Sequence, residues 1–423
     1  MGCTGWRAVV AAVVVLWMAA GVACGKIIYV DDDANSPGDG RTWATAYKYL
    51  QDGLADANSS PKPVEVRVAQ GVYRPDRNAA EPHGTDDRLA SFDLVSGVAF
   101  LGGYAGLAGP EPNARDIGCF ETVLSGDIGV PDFFWDNACH VVTISGPDAT
   151  PVLEGFTITA GRAQCWYGWG YEGGGMLNFG SPLVRRCRFE GNWAYTYGGG
   201  VATMGGRPVF MECVFVGNGA EPPGWASIPH SGGAIASTHD LPLKVVNCVF
   251  TGNTAHVGGA IDCSYSTAFV ENCTFLGNRA FFFEEHGGSA VYTYKGVAVI
   301  HNSILWGNFD TVESRERAQV STDEGRIEIN HSCVEGWSGS LGGIGNFGVD
   351  PCIAEGGYWA DSSDPNLEVH WGRLKDAVWV QGDYHLKSQA GRWLADEGRW
   401  TTDDVTSPCI DAGDPMSPIG LEP

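Results

Sequence analysis

Positive charge is scarce in this chain. Lys and Arg number 26 against 50 Asp and Glu, a formal −24, and only 18% of the 423 residues are charged. Nucleic acid and anionic membrane surfaces need the opposite balance, so neither is expected as a partner. A neutral glycan, a cation or a basic partner is easier to accommodate. Long apolar runs are lacking too. The one run of note, Ala8 to Ala20, follows Arg7 and ends at Gly21-Val22-Ala23. It is short for a bilayer and closed by small residues, so residues 1–23 read as an export signal and no transmembrane span is expected. Cys24 follows Ala23 directly, which allows lipid attachment as well as free secretion. Either route places the protein outside the cell or at its surface. Helical periodicity is confined to residues 43–57, where Trp43, Ala46, Tyr47, Leu50, Leu54 and Ala57 form one apolar stripe and Thr42 stands where a cap is needed.

What the chain has in excess is glycine, 60 residues, about twice the usual share. Much of it is periodic. Gly-Gly-Gly-Met176, Gly-Gly-Gly-Val201, Gly-Gly-Ala-Ile235, Gly-Gly-Ala-Ile261 and Gly-Ser-Ala-Val291 are five copies of one strand opening. Each leads to a second signature, Cys187-Arg-Phe-Glu-Gly-Asn192, Cys213-Val-Phe-Val-Gly-Asn218, Cys248-Val-Phe-Thr-Gly-Asn253, Cys273-Thr-Phe-Leu-Gly-Asn278 and Ser303-Ile-Leu-Trp-Gly-Asn308. Spacings of this size, made of short β-type runs broken by Gly and Asn, mark a solenoid. Cys and Phe alternate along one strand and share a face. The apolar residue three places before Cys or Ser (Val184, Phe210, Val245, Val270, Ile300) cannot share it without a corner between. Asn247, Asn272 and Asn302 sit at that corner and tolerate left-handed backbone. Gly-Asn after the Phe makes a second corner and the Gly-Gly opening a third. The spacing thus predicts an all-β chain, a right-handed three-sided parallel β-helix with stacked Phe and Cys columns.

The repeated Gly-Gly-Ala-Ile with Phe-x-x-Asn resembles the repeat of chlamydial polymorphic outer-membrane proteins, and equally that of bacterial secreted right-handed β-helix proteins of the pectin-lyase-like superfamily. Ile28-Tyr-Val-Asp-Asp-Asp-Ala34, Leu153-Glu-Gly-Phe-Thr-Ile-Thr159, Asp383-Tyr-His-Leu386 and Ser407-Pro-Cys-Ile-Asp-Ala-Gly-Asp414 are similar to stretches of the second group. That resemblance implies the fold. It leaves activity open, because the superfamily holds lyases, hydrolases, esterases and non-enzymatic surface proteins. On this reading residues 26–63 form an N-terminal cap containing a helix over 43–57. Residues 64–349 form the β-helix, regular over 152–335, and 350–423 form irregular C-terminal coils. The chain stops at Pro423 soon after the last motif, so its C-terminus is expected to be truncated. The Arg326–Cys333 coil carries its Cys one place out of register.

Of the thirteen cysteines, Cys3 and Cys24 belong to the N-terminal leader region and the other eleven divide in two. Cys187, Cys213, Cys248 and Cys273 fall in one inward column, read as buried thiols although adjacent coils would bring them within disulfide range. Cys119, Cys139, Cys165, Cys263, Cys333, Cys352 and Cys409 show no pairing rule. Asp31, Asp33 and Asn35 resemble a calcium loop, but the glycine is misplaced and no Glu follows, so a solvated turn is expected. The sequence identifies no cofactor with certainty, and calcium is the cation this loop chemistry admits.

The turn between the Gly-Asn corner and the next Gly-Gly absorbs nearly all length variation, as binding faces of solenoids do. It carries Trp166, Tyr167, Trp169, Tyr171, Trp193, Tyr195, Tyr197 and Trp225, with Glu172, Glu221, Glu284 and Glu285 among them. Exposed rings beside carboxylates suit stacking on sugars, and the bland alternative is that they fold down over the solenoid flank. His230, His256 and His286 stack at the edge of the same face as a candidate metal or pH-sensitive stripe, or simply as polar turn residues. No catalytic set used on this fold is evident. The Asp pairs lie outside the regular coils, and Asp262 and Glu271, on neighbouring coils, have no obvious Lys or Arg facing them. Two functions remain. One is a non-catalytic, adhesin-like face for a polysaccharide, a cell-surface glycan or a surface protein. The other is a polysaccharide lyase or glycoside hydrolase with its site on that face.

Overall fold

The computed structural model describes residues 25–35, 37–165, 168–220, 230–239, 241–281, 288–310, 315–361, 364–368, 377–394 and 397–417. The chain winds into a three-sided right-handed parallel β-helix. One side is a ten-stranded parallel sheet running from Lys26–Val30 through Val64–Ala69 and Thr267–Glu271 to Arg326–Asn330. The second is a nine-stranded sheet holding the Cys-x-Phe segments, and the third an eight-stranded sheet opened by Met176, Val201, Ile235, Ile261 and Val291. A fourth, minor ribbon of two-residue strands follows the Gly-Asn corner: Arg162–Ala163, Trp193–Ala194, Gly219–Ala220, Thr254–Ala255 and Arg279–Ala280.

Backbone chirality sets the corners. The residue before each column Cys or Ser is left-handed at φ 50–54°: Arg186, Glu212, Asn247, Asn272 and Asn302. Two of these are not Asn, and the coils still turn there, because each coil copies the bend of its neighbour. Gly191, Gly217, Gly252, Gly277 and Gly307 make the second corner at φ 60–62°. Stacking is in register. Phe189 pairs with Phe215, Phe215 with Phe250 and Phe250 with Phe275. Their rings lie 4.9, 4.8 and 4.7 Å apart and within 6° of parallel. Cys187, Cys213, Cys248 and Cys273 are buried free thiols as expected. Burial raises the Cys187, Cys213 and Cys248 thiols well above their ordinary range.

Beside these columns runs a buried asparagine ladder that the repeat signature contained but did not announce. Asn192 Nδ2 donates to Asn218 Oδ1 at 3.0 Å, Asn218 to Asn253 at 3.0 Å, Asn253 to Asn278 at 2.9 Å and Asn278 to Asn308 at 2.8 Å. Each amide also reaches a carbonyl of the strand on the coil before it, such as Phe215 O for Asn253 at 2.9 Å. The ladder satisfies buried groups that a tight corner would otherwise orphan.

The structure corrects three expectations. The helix expected over 43–57 is a 3₁₀ turn, Trp43–Thr45, and a separate α-helix, Leu50–Ser59. Tyr47 interrupts the stripe because its backbone pairs with the first strand: Tyr47 N donates to Tyr29 O at 2.9 Å and Asp31 N to Tyr47 O at 2.8 Å. Thr42 makes no side-chain cap. The helix still covers the open end, laying Leu50, Leu54 and Ala57 on Ile28, Val30, Val64 and Val66. Secondly, Asp31 is not a solvated turn residue: it is buried, and its carboxylate accepts Asp33 N at 2.9 Å and Leu107 N at 2.6 Å. Thirdly, the region after 350 does not continue as coils. Tyr358–Asp361, Asp364–Glu368 and Ala377–Val380 form an antiparallel sheet, and Arg392–Leu394 with Arg399–Thr401 a hairpin, because no repeat is left to enforce parallel stacking. This segment docks on the flank of the helix, with Trp359 Nε1 donating to Gly277 O at 2.9 Å.

Candidate functional site

The variable turn leads out of the minor ribbon, and the ribbon supplies the floor of an aromatic belt. Arg162, 1% exposed, holds its guanidinium over Phe134 at 3.4 Å, Trp135 at 4.0 Å and Trp193 at 4.2 Å. Burial, with Arg88 nearby, pushes this group down to about 9, still charged at neutral pH. Three rings around a desolvated cation make a stable base. From it the ring contacts run on: Phe134 to Trp193 at 6.2 Å, Trp193 to Tyr195 on the same coil at 6.4 Å, and Tyr195 down to Tyr171 at 5.2 Å and up to His230 at 5.7 Å.

The sequence candidates are therefore divided. Trp193, Tyr195, Tyr171 and Tyr197 are half-buried and pack on their neighbours, the structural half of the expectation. Trp169 remains 47% exposed, resting edge-on against Phe179 at 5.8 Å. Phe179 in turn lines an open groove of about 470 Å³ together with Asp148, Met204 and Arg207. Trp166, Tyr167, Trp225, Glu221, Glu284, Glu285 and His286, like residues 1–23 and Cys24, lie outside the described residues. The sequence reading missed Phe133, Phe134 and Trp135, which are 50, 43 and 52% exposed and complete the lower end of the belt. Their signal was legible: Asp132-Phe-Phe-Trp-Asp136 is an aromatic run in a turn rather than a strand.

His230 and His256 meet edge to face, with ring centroids 4.9 Å apart at 84°. His230 is fully buried and neither of its ring nitrogens has a hydrogen-bond partner. Burial, then His256, brings His230 down to about 4, and burial lowers His256 as well, so acid is needed to charge the pair. Among the described residues, three metal-capable side chains converge only at Asp31, Asp32 and Asp33. The backbone amides of Asp33, Val72 and Leu107 already bond this group.

Asp262 and Glu271 sit on different sides of the coil. Glu271 is at the end of the Thr267–Glu271 strand and, contrary to the sequence reading, has a lysine facing it: Lys244 Nζ at 3.2 Å on the preceding coil. Asp262 belongs to the eight-stranded sheet and is buried. It accepts hydrogen bonds from Ser231 Oγ, Ser264 N at 3.1 Å and Ser264 Oγ at 2.6 Å. Burial nevertheless pushes its carboxyl up to about 6, and its charge contributes to raising the Tyr197 and Tyr292 phenols after their own burial. On the same side Glu172 accepts Thr196 Oγ1 at 3.1 Å and is raised by burial. An unpaired disulfide expectation also resolves here: Cys139 and Cys165 are bonded, tying the loop that precedes Trp169 to the coil below. Their separation of 26 residues offered no repeat from which to read the pairing.

Residues 144–310 match the family model described as "Right handed beta helix region", and residues 355–413 match the model described as "Disaggregatase related". No curated protein matches the sequence. Among solved structures, a rhamnogalacturonan lyase is similar at 14% identity, covering 73% of this chain and 87% of that one, with a TM-score of 0.40. Pectate lyase Pel9A is similar at 14% identity over 74% of this chain and 76% of that one, with a TM-score of 0.36. No described helix is long and apolar enough to cross a membrane. The coil pairing and the matched region together make this chain a right-handed parallel β-helix.

Proposed function

We propose that this is an exported or cell-surface β-helix protein that binds a neutral polysaccharide or another surface glycan or protein along its aromatic flank, without catalysis. The observation that supports this reading is the belt itself. Exposed Phe133, Phe134 and Trp135 continue through Trp193 to Tyr195 and back to Tyr171 on the coil below, and exposed Trp169 comes two residues before Tyr171. Rings on successive coils match an extended chain of sugars better than a compact ligand, and the net charge of −24 favours an uncharged one. Retention on neutral polysaccharide columns tests it. The doubly substituted Trp135→Ala/Trp169→Ala protein should lose retention at least tenfold, while Trp400→Ala, which removes a ring 69% exposed on the distant hairpin, should not. Equal retention of all three proteins would refute the reading.

A lyase or hydrolase on the same fold is the second reading. The group that bears on it is Asp262, whose carboxyl burial raises to about 6; it is buried under three hydrogen bonds, so proton transfer to a substrate requires the residues covering it to open. Release of unsaturated or reducing ends from a polysaccharide panel, with and without calcium, would replace the binding reading with this one.

A further inference from the structure

The last coil breaks the cysteine pattern in an informative way. In Cys-x-Phe the first position faces inward, and Cys187, Cys213, Cys248 and Cys273 occupy it. Ser303 and Ser332 continue that column, with Ser303 N donating to Ser332 Oγ at 3.1 Å. Cys333 comes one residue later and pairs with Ile304, so alternation turns it to the outer face. Its outward predecessors Arg188, Val214, Val249, Thr274 and Ile304 are all partly exposed, yet Cys333 is 2% exposed.

The chain's own C-terminal segment covers it. Val349 O accepts the Cys333 thiol at 3.2 Å, and Cys409 is close enough that the two thiols shift each other's ionisation. Cys409 is held in place on both sides. Ser407 Oγ accepts Cys409 N at 3.1 Å and donates to Pro351 O, while Asp414 N donates to Asn302 Oδ1 at 2.8 Å on the corner of the solenoid. The segment Ser407–Asp414, singled out in the sequence and used by no part of the binding face, therefore serves to seat Cys409 on Cys333.

We propose that Cys333 and Cys409 form a disulfide that clasps the 355–413 segment to the last coil of the β-helix. The roles of the two sulfurs differ. Cys409 is half-buried and reachable, and the hydrogen bond from Cys333 holds its thiol below the ordinary range, which makes it the attacking thiolate. Cys333 is buried, and that same hydrogen bond, with burial, keeps it protonated until the second step. The oxidant is a disulfide, either oxidised glutathione or a dithiol oxidoreductase in its oxidised form. The Cys409 thiolate attacks one oxidant sulfur, and the other leaves and takes up a proton. Cys333 then loses its proton and attacks the Cys409 sulfur, expelling the second oxidant thiol. Two protein thiols and one oxidant disulfide become one protein disulfide and two oxidant thiols. This chain already contains one such bond, Cys139–Cys165, so the oxidised state suits it.

The full chain, folded and exposed to oxidised glutathione, is alkylated, digested without reduction and mapped by mass spectrometry. A Cys333–Cys409 linked peptide, about 2 Da below the sum of its free-thiol parts, is expected to dominate. The column cysteines should label only after unfolding. In Cys409→Ser the linked peptide should vanish while the Cys139–Cys165 peptide persists, which shows that the variant has folded. Limited proteolysis gives a second readout: reductant should speed release of the 355–413 segment several-fold in the wild type and leave Cys409→Ser, already fast, unchanged. Alkyl groups on both Cys333 and Cys409 in the oxidised folded chain, or a Cys409–Cys352 link instead, would overturn the proposal.

Discussion

Asn253→Ala is the most direct test of what holds the coils in register. The Asn253 side chain takes part in four buried hydrogen bonds. Its Nδ2 donates to Phe215 O at 2.9 Å and to Asn278 Oδ1 at 2.9 Å, and its Oδ1 accepts Asn218 N at 3.0 Å and Asn218 Nδ2 at 3.0 Å. At roughly 1 kcal/mol net for each buried bond, truncation should cost about 4 kcal/mol. Asn247→Ala is the matched comparison. Asn247 sits left-handed at φ 53°, and Ala there adds backbone strain on the order of 1 kcal/mol and removes one exposed hydrogen bond, from Asn272 Nδ2 at 3.2 Å. Urea denaturation gives the difference, and native-state hydrogen exchange locates it. Amides of residues 214–220 and 249–255 should lose protection in Asn253→Ala, with those near Val66 little changed, because solenoid coils couple mainly to their neighbours. A cost for Asn253→Ala no larger than that for Asn247→Ala would refute the claim that the asparagine ladder, rather than the corner backbone, carries the register.

Two further predictions are independent of this one. Asp262 has its folded carboxyl raised from 3.8 to about 6, so the folded state favours the protonated form. Its stabilising effect is complete below pH 3.8 and is lost as the pH rises through 6. Asp262→Asn should therefore gain on the wild type by about 3 kcal/mol at most between pH 4 and pH 7 in urea titrations, and a pH-independent difference would contradict the burial argument. Gly277→Ala places a Cβ 2.0 Å from the Trp379 ring at φ +62°, whereas Gly217→Ala meets the same strain at φ +61° with nothing within 4 Å. Only the first should free the 355–413 segment to protease, and equal susceptibility would mean that Trp379 does not dock on the corner.

The coil was legible in the repeats alone. Where Gly or Asn must accept left-handed backbone, and where Cys and Phe must alternate inward, the choice is local and repeats from coil to coil. Stacking like on like then follows without knowledge of distant residues, and the Phe column appeared as expected. What the tertiary structure decided depends on segments far apart in sequence. Tyr47 leaves a helical stripe because Tyr29 and Asp31 offer it strand pairing. Phe134 and Trp135 join Trp193 only because all three rings surround Arg162. Cys333 is buried, and Asp262 is raised, by what is packed over them rather than by their neighbours in the chain. Periodicity reports the faces of a strand; it carries no record of which face another segment will cover, and on this protein that covering sets the chemistry of each candidate side chain.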